Sequence, residues 1–300
     1  MVRWDRYPHR EPIPTRTTYI MTIIDRSSFL VGSKTGILLI HGLGGTPVEM
    51  RYVAQGLNRA GYTVYSCQLT GHCGTTQDLI EAKWQDWTAD VVKALDKLKH
   101  CSKIFVGGLS AGSLLALYLA EQFPDKIDGT LLYSPTLVLN GWSMPWYMRF
   151  LHYLRPSMQF MEVMMNERQP HGLKDERIRK LVIQSMQANS TDAGTFQTPL
   201  STMTQFNALS AYMRKRLKNI TVPILSFHPR EDDFSDISNS YEILRKVKGK
   251  AELIVLEDSY HIITLDKQRS HVLYKSEEFI ENIRITDKNK YHTLNIKKSA

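Results

Sequence analysis

A serine flanked by two glycines, between a strand pattern and a helix pattern, is the feature that most constrains the fold of this chain. The segment reads Gly108-Leu109-Ser110-Ala111-Gly112; it follows the apolar run 103–107 and precedes the apolar run 113–120. Glycines at both positions allow a sharp turn that would crowd larger side chains, and such a turn presents the serine hydroxyl at the tip of a strand. The sequence therefore predicts a strand, a tight turn and a helix, with Ser110 as the candidate nucleophile.

Short apolar runs bounded by turn residues recur along the chain and are typical of strands buried on both faces of a parallel sheet. They are 36–40, 62–66, 104–106, 129–133, 223–227 and 253–256. Helical patterns lie between and after them, at 48–60, 83–98, 111–122, 238–247 and 270–283. This alternation predicts an α/β fold, with a mostly parallel sheet and helices on both of its faces.

The alternation breaks between residues 135 and 215, where the sequence is helical in character and offers no buried strand. We expect a helical cap inserted over the carboxyl ends of the strands, where open α/β sheets place their sites. The chain is then a single domain, with its core at 17–134 and 216–284 and a basic polar tail at 285–300.

Composition bounds the class of protein. No run approaches 18 apolar residues, and the first residues lead into prolines and charges rather than into a signal peptide. The three cysteines are odd in number and lack metal-site spacing, which suits a reducing compartment. We expect a cytoplasmic protein with no transmembrane segment, no metal or other cofactor, and no nucleic-acid partner.

The net charge of +8 is spread along the chain with an excess in the tail. A solvated, partly disordered tail is the main interpretation, and a transient contact with a membrane surface is the alternative. The sequence leaves the oligomeric state open.

A serine hydroxyl needs a base to take its proton, and the base needs a third group to orient it. His261 follows the strand at 253–256 through a short loop, and the loop after the strand at 223–227 carries Glu231, Asp232, Asp233 and Asp236. The order serine, acid, histidine is the one expected for a serine held at such a turn.

A glycine-rich loop at 41–47 follows the strand at 36–40. Serine acyl transfer needs an oxyanion hole, and the backbone N–H groups of Leu43 and Ala111 are the natural pair of donors. The loop lacks the spacing of a phosphate-binding or dinucleotide-binding motif. His41 and His72 lie near the site, and we predict that their rings bond to the backbone rather than act in catalysis or bind metal.

These motifs, together with Gly61-Tyr62, Gly71-His72 and Ser259-Tyr260-His261, resemble the α/β-hydrolase superfamily. Within it, the chain resembles the serine carboxylesterases and monoacylglycerol lipases, which are grouped with the serine aminopeptidase clan. The resemblance covers about 30–134 and 220–284. It implies that Ser110 is the nucleophile, His261 the general base and acid, and Leu43 with Ala111 the oxyanion donors.

The resemblance also selects the acid. In monoacylglycerol lipases a histidine precedes the catalytic aspartate by four positions and a further aspartate follows it by four, and His228, Asp232 and Asp236 fit that register. Asp232 is therefore the predicted triad acid, and Asp233 is the alternative.

Aromatic residues and methionines are dense between 142 and 165. One interpretation is a cap helix that packs its apolar face on the core. The other is a lipophilic pocket, because methionine adapts to flexible apolar ligands. We predict Trp142, Trp146 and Met161 as substrate contacts.

The predicted reaction is hydrolysis of a carboxylic ester with a lipophilic acyl group, through an acyl-enzyme. Thioester or peptide hydrolysis by the same residues is one alternative, and a ligand-binding protein without turnover is another. Dehalogenase or epoxide hydrolase chemistry would require an aspartate at position 110.

Overall fold

A seven-stranded, mostly parallel sheet forms the centre of the fold. The computed structural model describes residues 24–145, 164–166, 169–187 and 197–298. The strands of the sheet are β1 (Ser28–Leu30), β2 (Thr35–Ile40), β3 (Thr63–Cys67), β4 (Lys103–Leu109), β5 (Gly129–Tyr133), β8 (Ile224–Pro229) and β9 (Ala251–Leu256). They lie in the order β1-β3-β2-β4-β5-β8-β9, and each neighbouring pair is parallel except β1 with β3.

Helices connect the strands and cover the sheet. They are α1 (Arg51–Arg59), α2 (Thr76–Glu81), α3 (Trp84–Asp96), α4 (Ala111–Gln122), α5 (Glu176–Gln187), α6 (Leu200–Arg216), α7 (Ser238–Lys246) and α8 (Arg269–Lys298), and a 3-10 turn at Pro47–Met50 precedes α1. The α/β architecture, the six predicted strands and the five predicted helices are confirmed.

The two faces of the sheet carry separate apolar clusters, because alternate residues of a strand point to opposite sides. Leu38 and Ile40 of β2 join one cluster, with residues of α3, α4 and α6. Ile37 and Leu39 of the same strand join the other, with residues of α1 and α8. Helix α4 is apolar almost all round its axis and is buried along most of its length. This packing fixes both ends of the Ser110 turn.

The segment predicted as a helical cap, 135–215, also contains a short antiparallel ribbon, β6 (Met164–Asn166) with β7 (Gln197–Pro199), which the sequence did not indicate. Strands of three residues are too short to show a periodic signal. The last part of α6 packs into the larger core cluster against α4.

The edge strand β1 and helix α2, which lie outside the predicted cap, were also not predicted. A capping box at the start of α2, between Thr75 and Asp78, is visible in the sequence as a Thr-x-x-Asp pattern.

Helix α8 continues to Lys298, where the sequence predicted a partly disordered tail. Within the residues described, no helix has the length and apolarity to cross a membrane.

Candidate active site

Ser110 lies in the turn between β4 and α4, in a conformation that residues other than glycine rarely adopt. Its φ is 54° and its ψ is −116°, and such conformations cost about 1–3 kcal/mol. Its N–H donates to the carbonyl of Tyr133 at 2.8 Å, and the hydroxyl of Ser113 donates to the carbonyl of Gly108 at 2.6 Å. Bonds from β5 and α4 therefore hold the turn that the glycine pattern predicted.

The two glycines beside Ser110 allow the backbone to pack closely. A Cβ at Gly108 would overlap the carbonyl of Gly112, and a Cβ at Gly112 would lie 2.5 Å from the carbonyl oxygens of Ile40 and His41. The start of α4 thus rests on the end of β2. As a result, Ser110 lies beside the glycine-rich loop that follows β2.

His261 is oriented by Asp232. The Nδ1 atom of His261 lies 2.8 Å from Asp232 Oδ2 and 3.0 Å from Oδ1, and both side chains are buried. The carboxylate also accepts the N–H groups of Phe234 and Ser235, each at 2.8 Å, while Ser134 Oγ donates to the carbonyl of His261 at 2.7 Å. With its Nδ1–H donated to the carboxylate, the ring keeps the Nε2 lone pair to accept a proton.

The pKa values of this pair are shifted in opposite directions. Burial lowers the pKa of His261, but the carboxylates around it, Asp232 most of all, together outweigh that effect, and the pKa is raised above its usual value. Burial raises the pKa of Asp232, but His261 outweighs it, and the pKa is lowered. Asp232 is therefore held ionised, and it favours the imidazolium form of His261.

Asp233 is a second buried carboxyl, with different partners. It accepts the N–H of His261 at 3.2 Å and the N–H of Gly172 at 2.8 Å. Burial and the neighbouring charge of Asp232 raise its pKa to about 6. Because Asp233 bonds the backbone of His261 and not its imidazole, the geometry favours Asp232 as the partner of the ring.

A chain of hydroxyl groups connects Ser110 with the loop that carries Asp232. Ser110 Oγ lies 3.1 Å from Thr136 Oγ1, and Thr136 Oγ1 lies 3.0 Å from Ser235 Oγ. The N–H of Ser235 donates to Asp232. The sequence analysis missed Thr136 and Ser235, although both lie in the loops that follow parallel strands β5 and β8. The structure thus brings Ser110, Asp232 and His261 to one edge of the sheet.

The glycine-rich loop after β2 is held by two neutral histidines. The N–H of Leu69 donates to His41 Nε2, and the N–H of Gly44 donates to His72 Nε2, both at 3.2 Å. Burial, with repulsion from His72, lowers the pKa of His41 to about 3, and burial lowers the pKa of His72 to about 4. The prediction that these rings bond to the backbone is confirmed.

Leu43 follows Gly42 in this loop, and a Cβ on Gly42 would lie 3.6 Å from the Cβ of Ser110, the residue before Ala111. Within the part of the chain that the structure describes, the N–H groups of Leu43 and Ala111 donate to no protein acceptor. Gly44, with φ of 70°, turns the chain directly after Leu43, and the N–H of Gly45 closes the turn on the carbonyl of Gly42 at 3.3 Å. Two N–H donors from the predicted positions are thus available near Ser110.

Apolar residues form a wall next to Leu43. Leu200 and Met203, from the start of α6, pack with Leu43 and Leu139 in a small cluster of their own. Trp142 stands apart from this wall: it is 59% exposed, and its indole N–H donates to the carbonyl of Glu231 at 3.1 Å. Trp146 and Met161, the other predicted substrate contacts, lie outside the described residues. Sequence reasoning missed Leu200 and Met203.

The described residues contain no group of three or more histidine, cysteine or acidic side chains that could hold a metal ion. Two histidine rings instead face the carboxylate of Asp232, with His261 Nδ1 at 2.8 Å and His228 Nε2 at 3.5 Å from its Oδ2. Among the residues that the structure describes, the hydroxyl of Ser110 is hydrogen-bonded to Thr136 Oγ1 rather than to the ring of His261.

Comparisons with known proteins identify similar sequences over most of the chain. The family model Hydrolase_4, described as "Serine aminopeptidase, S33", matches residues 33–268. A thermostable monoacylglycerol lipase from Bacillus sp. (strain H-257) is 30% identical over 254 residues, which cover 81% of this chain and 89% of the relative. A carboxylesterase from Bacillus subtilis (strain 168) is 26% identical over 257 residues, which cover 84% of this chain and 94% of the relative.

Solved structures share the same fold. A structure from work on LipS and LipT, two metagenome-derived lipolytic enzymes, superposes with a TM-score of 0.72 at 28% identity, covering 85% of this chain and 97% of that chain. The monoacylglycerol lipase of Paleococcus ferrophilus superposes with a TM-score of 0.73 at 19% identity, covering 87% of this chain and 99% of that chain.

Proposed function

Since the chain belongs to the serine aminopeptidase S33 family of α/β-hydrolases, we propose that it hydrolyses carboxylic esters with a lipophilic acyl group. Ser110 is the nucleophile, His261 the general base and acid, and Asp232 the residue that orients His261. The observation behind this proposal is the buried hydrogen bond between His261 Nδ1 and Asp232. It occurs in a chain that places Ser110 at the turn between β4 and α4.

In the proposed acylation, Ser110 Oγ attacks the ester carbonyl carbon while its proton passes to His261 Nε2. The carbonyl π bond becomes an oxyanion, which the N–H groups of Leu43 and Ala111 stabilise. The C–O bond to the alcohol then breaks, and the proton on Nε2 goes to the departing alkoxide.

Deacylation repeats the sequence with water as the nucleophile. His261 Nε2 takes a proton from water, whose oxygen attacks the acyl carbon, and the proton then returns to Ser110 Oγ as the acid leaves. The raised pKa of His261 supports this role, because the carboxylate of Asp232 stabilises the imidazolium that forms in both steps.

The wall of Leu43, Leu139, Leu200 and Met203 supports a lipophilic acyl group. It begins at the residue that supplies one oxyanion donor, so an acyl chain bound there would start at the reacting carbonyl. The monoacylglycerol lipase and carboxylesterase named above support the same substrate class. Three of these residues, Leu139, Leu200 and Met203, come from the segment predicted as the cap, 135–215, and we assign the acyl pocket to that segment and the loop after β2.

A panel of p-nitrophenyl esters from two to sixteen carbons, with a monoacylglycerol, a thioester and an aminopeptide beside it, tests the proposal. We expect kcat/KM to rise with acyl length through the medium chains, since each buried methylene contributes about 0.8 kcal/mol. A preference for the thioester or the aminopeptide would assign another acyl substrate to the same residues. Absence of turnover on every substrate would contradict the proposed activity.

Met203→Ser is expected to lower kcat/KM for decanoyl esters by about tenfold, while acetyl esters stay within about twofold of wild type. Removing the apolar side chain weakens contact with the acyl chain and leaves the reacting groups in place. Leu181→Ser is the matched control, because Leu181 is 62% exposed on α5. An equal loss on acetyl and decanoyl esters would show that Met203 does not contact the acyl chain.

A further inference from the structure

Glu49 is a carboxylate beside the reacting groups that the proposed mechanism does not use. It lies in the 3-10 turn before α1, and the N–H of Gly42 donates to its Oε2 at 3.1 Å. A Cβ added to Gly45 would overlap the Glu49 carboxyl group, and one added to Gly42 would lie 3.5 Å from Oε2 and 3.6 Å from Ser110 Cβ. The Glu49 carboxylate and Ser110 are therefore both close neighbours of Gly42.

The hydrogen bonds of Gly42 determine where the N–H of Leu43 points. The carbonyl of Gly42 and the N–H of Leu43 belong to one peptide plane. That carbonyl accepts the Nδ1–H of His41 at 2.8 Å and the N–H of Gly45 at 3.3 Å. The preceding N–H, on Gly42 itself, is held by Glu49. Glycine is the residue whose backbone rotates most freely about its Cα. In Gly42 the bond to Glu49 restrains the N–H, and the bonds from His41 and Gly45 restrain the carbonyl.

Three carboxylates act on His261, besides its own burial. The carboxylates of Asp232, Asp233 and Glu49 each raise its pKa, with Asp232 contributing most. His228, whose Nε2 lies 3.5 Å from Asp232 Oδ2, has a pKa lowered by burial. Glu49 acts on His261 from the side of the oxyanion loop, whereas the two aspartates act from the loop after β8.

We propose that Glu49 is a positioning residue, which holds the N–H of Gly42 so that the next N–H, on Leu43, faces the oxyanion. Its carboxylate lies next to Gly42, which is also a close neighbour of Ser110, and from that position its negative charge has a second action, because it favours the imidazolium form of His261. This inference rests on the proposed ester hydrolysis. It adds a third carboxylate to the electrostatics of the site, placed on the oxyanion side.

Two substitutions separate the two actions. Glu49→Gln keeps an oxygen that can accept the N–H of Gly42 and removes the charge. Glu49→Ala removes both. Glu252→Gln is the matched control, because it removes a carboxylate from an exposed position on β9.

We expect Glu49→Ala to lower kcat by about 10- to 100-fold with KM within about threefold, because the loop no longer presents its donor in a fixed direction. Glu49→Gln should keep kcat within about threefold of wild type. In both variants the acid limb of the kcat/KM profile should move to lower pH by about half a unit, because a negative charge near His261 is lost. Glu252→Gln should match wild type in both readouts.

The pKa of His261 in the resting protein, followed by NMR, gives a readout that does not depend on turnover. A lower pKa of His261 in both Glu49 variants supports the charge action, whether or not the wild type hydrolyses esters. Absence of ester hydrolysis by the wild type would contradict the proposed function and leave the charge action standing. Wild-type kcat in Glu49→Ala would overturn the positioning action. A purely structural role for Glu49 would give a different set of results: equal losses of kcat in Glu49→Gln and Glu49→Ala, a lowered melting temperature and an unchanged pKa of His261. That set of results would overturn the proposal.

Discussion

Ser110→Ala is expected to lower kcat for ester hydrolysis by about 10⁴- to 10⁶-fold, the loss seen when a serine nucleophile is removed. Alanine retains the Cβ and the backbone bond to Tyr133, so the turn and the fold persist. KM and melting temperature should therefore stay close to wild type. Initial rates on a medium-chain p-nitrophenyl ester and a thermal melt measure the two effects.

Ser102→Ala is the matched control for this loss. Ser102 is exposed, and its hydroxyl bonds only the backbone carbonyl of Lys34 among the described residues, at 3.3 Å. Its kcat should equal that of wild type. If Ser110→Ala turned over esters within tenfold of wild type in pure, folded protein, Ser110 would not be the nucleophile.

Asp232→Asn is expected to lower kcat by about 10³- to 10⁴-fold. An amide can donate a hydrogen bond to Nδ1, which would leave the proton on Nε2, where Ser110 needs a base. Losing this carboxylate also removes the largest effect that raises the pKa of His261, so the acid limb of the residual activity should move to lower pH. The pH dependence of kcat/KM on a reactive ester measures both effects.

Asp233→Asn is the matched comparison, because the two aspartates are adjacent and both buried. Asp233 bonds the backbone N–H groups of His261 and Gly172, and its pKa of about 6 leaves part of it neutral near neutral pH. We expect a loss of less than about tenfold. A larger loss in Asp233→Asn than in Asp232→Asn would assign the acid to Asp233 instead.

Much of the fold follows from local patterns that the sequence displays directly. Buried parallel strands are continuous apolar runs, so β2, β4 and β5 could be recognised one by one, and the glycines around Ser110 indicated the turn because only they permit its close backbone contacts. The confirmed family and architecture rest on these elements.

The parts of the site that were missed depend on contacts between distant loops. Thr136 and Ser235 are 99 residues apart, and nothing local to either one indicates that their hydroxyls meet beside Ser110. Glu49 lies four residues after Gly45, yet its place beside Gly42 depends on how the 3-10 turn packs back on the loop. The ribbon in the predicted cap was missed because its strands are too short to show periodicity.

The central claim is that Ser110 is activated by His261 and Asp232 for attack on an acyl carbon. Incubation of the wild-type protein with a fluorophosphonate, followed by peptide mass spectrometry, tests it most directly, because this reagent phosphonylates a serine whose proton a neighbouring base can take. We predict one adduct per chain, located on Ser110 and lost in Ser110→Ala. Protein that hydrolyses esters but forms no adduct, or forms it on another residue, would contradict the claim.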